Sequence, residues 1–199
     1  MRGTWLLIGC LVACTADDPP TWGDGISCDF GDVAPDPVTD SRLERNACLD
    51  NGGAGLRVSH PVDNTGGFVT MLKNRLERNE IGLRFTGFLC SVGGSTIRRN
   101  RAGGMRIDTV SCALNNNKVR DNGRFGIWMI NSSGIVGSAQ GLLDNDIRGN
   151  GGDGVHLSGG ARAVIGNHIK GNRGDGVSLD TAAHPYSVTG NVITGNGHD

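Results

Sequence analysis

The feature of the sequence that most constrains the fold is an internal repeat of about 22 residues. Residues 147–157 read Ile-Arg-Gly-Asn-Gly-Gly-Asp-Gly-Val-His-Leu, and residues 169–179 read Ile-Lys-Gly-Asn-Arg-Gly-Asp-Gly-Val-Ser-Leu. Equivalent positions lie 22 residues apart. Repetition at a fixed period of this size is typical of solenoids, in which each unit packs mainly against its two neighbours.

Two asparagine positions mark the repeat along most of the chain. The first position holds Asn46, Asn74, Asn117, Asn145, Asn167 and Asn191, with Ser95 in one unit. The second position holds Asn51, Asn79, Asn100, Asn122, Asn150, Asn172 and Asn196. The second set is spaced by 28, 21, 22, 28, 22 and 24 residues, so two units carry insertions. Because carboxamides both donate and accept hydrogen bonds, we expect each set to stack as a ladder.

Each unit is predicted to contain short strands and no helix. Apolar residues alternate with polar ones, as in Leu56 and Val58 or Val155 and Leu157, which is the two-residue period of a strand with one buried face. The 34 glycines of the 199 residues are expected at bends, where positive φ or close backbone approach is needed. These units predict an all-β parallel β-helix of about six to seven coils.

The unit Asn-x-Ile-x-x-Asn-x-x-x-Gly-Ile-x-Leu resembles the repeat of the pectin-lyase-like superfamily, from about Ser41 to the end. That superfamily includes pectate lyases, polygalacturonases, alginate lyases and epimerases, and tailspikes. The resemblance implies a right-handed, single-stranded parallel β-helix, but it does not select an activity, because this scaffold is widely reused. The polygalacturonase motifs Asn-Thr-Asp, Asp-Asp, Gly-His-Gly and Arg-Ile-Lys are absent.

The N-terminus is predicted to direct export. Residues 1–13 carry one positive charge and a nine-residue apolar run, and Leu11-Val12-Ala13-Cys14 resembles the bacterial lipobox. We expect cleavage before Cys14 and its lipidation, since the similar sequence ending at Cys10 leaves too short an apolar run. The partner would be membrane lipid, and the location the bacterial outer membrane or cell surface. An uncleaved anchor or a buried strand remains the alternative.

The rest of the chain is predicted to form two regions. Residues 14–40 contain four of the six prolines, seven aspartates and no Lys or Arg, which indicates an acidic tether that could end in a cap near residues 22–30. Residues 41–199 are the predicted β-helix. They carry 18 Lys and Arg against 13 acids, a net charge of +5.

Four cysteines remain after the predicted cleavage. Cys90 and Cys112 occupy equivalent positions of adjacent coils, so the rise of about 4.8 Å places them within reach of a disulfide. Cys28 and Cys48 would then join the N-terminal cap to the first coil. The alternative is that these cysteines stack without bonding.

The outward residues of the strand that follows each coil glycine are the predicted binding face. The first outward position holds Arg57, Arg84, Arg106, Trp128, His156 and Ser178. Arginine can bind carboxylates through two parallel hydrogen bonds, and Trp128 could stack on a sugar ring, so an anionic polysaccharide is the expected ligand. The alternative is a solvated polar face. A second basic column, Arg98, Arg120, Arg148 and Lys170, is interpreted mainly as solvating.

Candidates for catalysis are weaker. Arg106, Asp108 and His156 could supply a cation and a base for β-elimination, but no lyase signature surrounds them. Asp153 and Asp175 precede successive coil glycines, in turns where Asp commonly binds local backbone amides. No Cys/His cluster predicts a metal, no cofactor is expected, and no nucleic-acid motif is present.

The favoured function is therefore an envelope-anchored binding or structural module for an anionic polysaccharide. The alternatives are a polysaccharide lyase or epimerase, and a purely structural rod. The sequence stops within a repeat, at residues 196–199. We expect either a fragment of a longer protein or an end that docks onto a partner or a second copy, because an open solenoid end exposes strand edges.

Overall fold

The computed structural model describes residues 23–29, 41–59, 68–130, 135–136, 145–159, 162–180 and 186–198. Within these ranges the regular elements are all β-strands. In chain order they are β1 (Ile26–Asp29), β2 (Ser41–Glu44), β3 (Ala47–Leu49), β4 (Ala54–Ser59), β5 (Phe68–Leu72), β6 (Arg75–Glu77), β7 (Ile81–Gly93), β8 (Thr96–Arg98), β9 (Gly103–Asn115), β10 (Lys118–Arg120), β11 (Phe125–Ile130), β12 (Ile135–Val136), β13 (Asp146–Arg148), β14 (Val155–Ser158), β15 (Arg162–Ile165), β16 (His168–Lys170), β17 (Val177–Leu179), β18 (Tyr186–Thr189) and β19 (Val192–Thr194). The predicted signal segment and Cys14 lie outside the described residues.

The strands stack into two parallel sheets, which confirms the predicted parallel β-helix. Sheet A has seven short strands, in the order β3, β6, β8, β10, β13, β16 and β19. Sheet B has twelve strands, and its main path runs β1, β4, β7, β9, β11, β14 and β17. The remaining strands of sheet B form a second stack beside this path. All pairings between strands are parallel, so each coil repeats the one before it.

The repeated asparagines form two columns of hydrogen bonds inside the coil. Asn122 shows the pattern: its Oδ1 accepts from the backbone N of Asn100 at 3.1 Å and from Asn100 Nδ2 at 2.9 Å. Asn122 Nδ2 donates to Ile97 O at 3.3 Å and to Asn150 Oδ1 at 2.9 Å. Ser95 continues the other column by accepting from the backbone N of Asn74 at 3.1 Å. The ladder therefore satisfies buried amides at both ends of each sheet A strand.

The residue directly before each ladder position turns the chain in the left-handed region, apart from Asp144, before Asn145, which lies outside the described residues. These residues include non-glycines, namely Arg45, Asp50, Lys73, Arg78, Arg99, Asn116 and Asp121, with φ between 53° and 61°. In the later coils Gly149, Gly166, Gly171, Gly190 and Gly195 take the same place. A left-handed non-glycine residue costs about 1–2 kcal/mol, and it persists here because the ladder beside it holds the bend in place.

On the main path of sheet B, the glycine at the start of a strand has a different role from the glycines at the bends. A Cβ added to Gly154 would lie 2.6 Å from Ile169 Cγ2, 2.8 Å from Asn172 Nδ2 and 2.8 Å from Gly176 O. Gly154 is not among the residues with positive φ. Close approach of the next coil, and not backbone conformation, therefore requires glycine here.

Within the described residues, the core is a continuous stack of mainly aliphatic side chains that includes a disulfide. Cys90 and Cys112 are in register on β7 and β9 and are joined in a disulfide, with Cα atoms 4.4 Å apart, as predicted. Cys28 and Cys48 are not joined in a disulfide. Cys28 lies opposite Val58 on sheet B, whereas Cys48 is buried on sheet A, so the two belong to different sheets.

Sheet B extends beyond the predicted boundary at Ser41. Strand β1, within the segment predicted as a tether, pairs with β4 from Ile26 opposite Leu56 to Asp29 opposite Ser59. Gly25 N donates to Ala54 O at 2.8 Å, and Asp24 Oδ1 accepts from Ala54 N at 2.7 Å. Residues 24–29 thus add part of a coil on the N-terminal side.

At the other end of the described stack, inward-facing side chains reach solvent. Leu179 is 41% exposed and Val188 38%, whereas Leu157 and Val164, one coil earlier, are fully buried. A recess there is lined by Asp175, Val177, Leu179, Val188, Ile193 and His198. The docking of a partner at this end stays a prediction.

Candidate functional site

The predicted binding face lies on the main path of sheet B, and its side chains are in register. In the strand register, Arg57 lies opposite Arg84 and Arg84 lies opposite Arg106. Trp128 follows opposite Arg106, and His156 lies opposite Trp128. Adjacent strands of a sheet are about 4.8 Å apart. Strand pairing therefore places these five side chains in one column along the solenoid axis.

The N-terminal half of this column is cationic, but its arginines differ in what neutralises them. Arg57 Nη1 lies 3.4 Å from Asp24 Oδ2, so an acid from the preceding coil pairs with it. Arg84 is exposed and Arg106 half-buried, and neither forms an ion pair with any residue that the structure describes. The positive charge available to a ligand is therefore centred on Arg84 and Arg106.

Trp128 connects the cationic half to the rest of the column. The Arg106 guanidinium carbon lies 5.0 Å from the centroid of the Trp128 ring, within cation–π range. The Trp128 ring also meets His156 edge to face at 5.7 Å and Phe125 at 5.5 Å. Arg106 thus occupies one face of the indole, and Trp128 holds Arg106 in place.

The C-terminal half of the column is built around His156. Its Nδ1 lies 3.1 Å from Asp153 Oδ2, and its Nε2 lies 3.5 Å from Asp180 Oδ2. Ser158 Oγ donates to Asp180 Oδ2 at 2.6 Å and accepts from Trp128 Nε1 at 3.4 Å. The hydrogen bond from Ser158, with a further contribution from His156, lowers the pKa of Asp180 below its ordinary value. This half of the face therefore carries two carboxylates beside one imidazole.

Asp153 has a structural role as well. Its Oδ1 accepts from the backbone N of Asp175 at 2.9 Å, while its Oδ2 faces His156. One carboxylate thus fixes the turn of the next coil and orients the imidazole, which is consistent with the local role expected of Asp in these turns.

The three weak catalytic candidates do not converge. Arg106 and His156 lie two strands apart, with Trp128 between them. Asp108 lies opposite Ile130, in the neighbouring column, which continues to Ser158. Sequence reasoning did not link Asp180 or Ser158 to His156, although both occupy the outward position that follows the His156 column.

The second basic column lies on sheet A and is organised around a buried acid. Glu77, whose side chain is 1% exposed, binds Arg75 at 2.7 Å and Arg98 at 2.8 Å. These hydrogen bonds lower the pKa of Glu77 from 4.5 to about 2, and the one from Arg75 contributes most. Further along, Asp146 pairs with Arg120 and, at 3.1 Å, with Arg148. Glu77 and Asp146 therefore neutralise much of this column.

Among the described residues, no group of three or more His, Cys, Asp and Glu side chains could hold a metal ion. No helix in the described part of the chain is long and apolar enough to cross a membrane.

Comparison with known proteins supports the architecture. No curated protein and no solved structure matches the chain. Residues 81–199 match the family model described as the right handed beta helix region. Because that match covers more than half of the chain and agrees with the stacked parallel sheets, the chain belongs to the right-handed β-helix family.

Proposed function

We propose that this β-helix binds an anionic polysaccharide on the main path of sheet B, through Arg84 and Arg106. The observation that carries the proposal is the pair of arginines on adjacent strands, with no acid partner among the described residues. Each guanidinium can bind a carboxylate through two parallel hydrogen bonds. Trp128 supports the site by holding Arg106 and by offering an apolar surface beside it.

The test is calorimetric titration with a panel of uronate polymers. The variant Arg84→Gln/Arg106→Gln should bind at least about 10-fold more weakly, since hydrogen bonds to charged groups contribute about 1.5–3 kcal/mol. Arg57→Gln is the matched control, because Asp24 already neutralises Arg57, and it should change the affinity less than about threefold. Equal losses in the two variants, or no binding by the wild type, would refute the proposal.

A polysaccharide lyase or epimerase is the second candidate. The contact between Asp153 and His156 favours it, because a carboxylate that orients an imidazole is a common arrangement for a general base. A lyase would release unsaturated uronate, which absorbs in the ultraviolet, and His156→Gln would abolish that signal. Wild-type protein that binds polymer without any rise in absorbance would eliminate the lyase.

Attachment to the envelope is the other part of the proposal. The lipobox-like residues before Cys14 support lipidation there, with the outer membrane or cell surface as the location. Metabolic labelling with a tritiated fatty acid should mark the wild type and not Cys14→Ser. A wild-type chain without label would refute lipidation while leaving the binding face untouched.

A further inference from the structure

Sheet A, not the proposed binding face, carries most of the positive charge of the strands. Its seven strands contain six Arg and Lys against two acids, a net charge of +4. The main path of sheet B contains three arginines against two aspartates, a net of +1. The six cations of sheet A are Arg75, Arg98, Lys118, Arg120, Arg148 and Lys170.

Both acids of sheet A form ion pairs, and several cations on that sheet and its turns form none. Glu77 is shared by Arg75 and Arg98, and Asp146 by Arg120 and Arg148. Within the described part of the chain, the exposed cations on sheet A and its turns that form no ion pair are Lys73, Arg99, Lys118, Arg124, Lys170 and Arg173, against one exposed acid without an ion pair, Asp121. Excess positive charge therefore extends along this side from the coil of β6 to the coil of β16.

The form of this surface favours a planar partner over a single polymer chain. The sheet A strands pair in register over their three residues, so their outward side chains form a lattice about 4.8 Å apart and roughly 30 Å long. The outward positions of these strands hold no Phe, Tyr or Trp. A sugar-binding surface commonly uses aromatic rings, whereas exposed Lys and Arg alone suit anionic headgroups.

We propose that sheet A and its turns form a docking surface for an anionic phospholipid membrane. The inference builds on the proposed envelope attachment, since a tethered rod keeps this surface close to lipid. Anionic headgroups attract each nearby Lys or Arg, and the attraction is screened by salt. The rod would then lie along the membrane, with sheet A towards the headgroups.

The experiment is sedimentation of the unlipidated full chain, Cys14→Ser, with vesicles of phosphatidylcholine alone or mixed with phosphatidylglycerol. We expect binding to the anionic vesicles to exceed binding to the neutral ones and to fall with added salt. Adding Lys118→Gln, Lys170→Gln and Arg173→Gln should weaken anionic binding on the order of 100-fold, at roughly fivefold per charge. Each of these side chains is exposed, so their replacement should not disturb the core.

Two variants in the same background separate the possible outcomes. The charge-retaining variant Lys118→Arg/Lys170→Arg/Arg173→Lys should bind anionic vesicles like the parent, and Arg84→Gln/Arg106→Gln should also do so. Equal binding to neutral and anionic vesicles, or anionic binding that survives loss of the three cations, would overturn the inference. The inference would also be overturned if removing the three charges weakened binding to polyuronate but not binding to vesicles. Failure of lipidation or of glycan binding at Arg84 and Arg106 would leave these results unchanged.

Discussion

Replacing Asn122 with alanine tests whether the asparagine ladder stabilises the solenoid. The side chain is buried at 1% exposure and makes four hydrogen bonds, two as acceptor and two as donor. Truncation at Cβ removes all four. The backbone N of Asn122 still donates to Asn150 Oδ1 at 3.1 Å, so the next coil keeps one of its contacts.

The expected cost follows from which groups lose their partner. The backbone N–H of Asn100 and one N–H of its carboxamide are left without the Asn122 oxygen. Asn100 Nδ2 keeps its bond to Leu76 O at 3.1 Å. An unsatisfied buried group costs about 1–3 kcal/mol, so two such donors predict a loss of about 4 kcal/mol in the free energy of unfolding.

The assay is urea unfolding followed by far-ultraviolet circular dichroism, combined with amide hydrogen exchange of Asn100. Asn116→Gly is the control, because Asn116 is exposed, has φ of 53° and precedes a ladder position without belonging to it. The control should stay within about 0.5 kcal/mol of the wild type. An Asn122→Ala variant within 1 kcal/mol of wild type, with the Asn100 amide still protected, would refute the assigned role of the ladder.

Three further predictions concern other parts of the stack. Glu77→Gln should lower the free energy of unfolding by about 3 kcal/mol near neutral pH, because the pKa of Glu77 falls from 4.5 to about 2 on folding. In the wild type this contribution is complete above the unfolded pKa and disappears as the pH falls towards 2. The free energy of unfolding should therefore depend less on pH in the variant than in the wild type. Cys90→Ser/Cys112→Ser should lose about 3 kcal/mol in urea unfolding, since the disulfide closes a loop with a separation of 22 residues. Gly154→Ala should lower the melting temperature, because the new Cβ would lie 2.6 Å from Ile169 Cγ2.

Each of these predictions has a control on the same chain. Glu80→Gln removes an acid whose pair with Arg101 is exposed, at 47% for Glu80, so it should change stability by less than about 1 kcal/mol. Adding reductant to the wild type should reproduce the loss in the double serine variant. Gly23→Ala introduces a Cβ with nothing within 4 Å and should leave the melting temperature unchanged. A Glu80→Gln or Gly23→Ala control that responds as strongly as its partner variant, or a wild type that reductant leaves unchanged, would contradict the corresponding prediction.

The sequence predicts the architecture because the stacking of the coils depends on the period of the sequence repeat. Asn100 and Asn122 are 22 residues apart and bond directly, since each coil returns the chain to the same angular position. The same spacing predicts the disulfide between Cys90 and Cys112, and it places Arg84 beside Arg106. A pairing between different sheets has no such spacing rule, and the proposed bond between Cys28 and Cys48 is absent.

The charge pattern of the site was decided only by the tertiary structure. Asp24 reaches Arg57 across 33 residues, from the segment near residues 22–30 where the sequence indicated that an acidic tether could end in a cap. Asp153 approaches His156 from a turn of its own coil, and Asp180 approaches it from the residue directly after the next strand. Periodicity predicts which side of a strand a residue occupies. Turn geometry and side-chain conformation determine which acid reaches which base, and these depend on packing between coils.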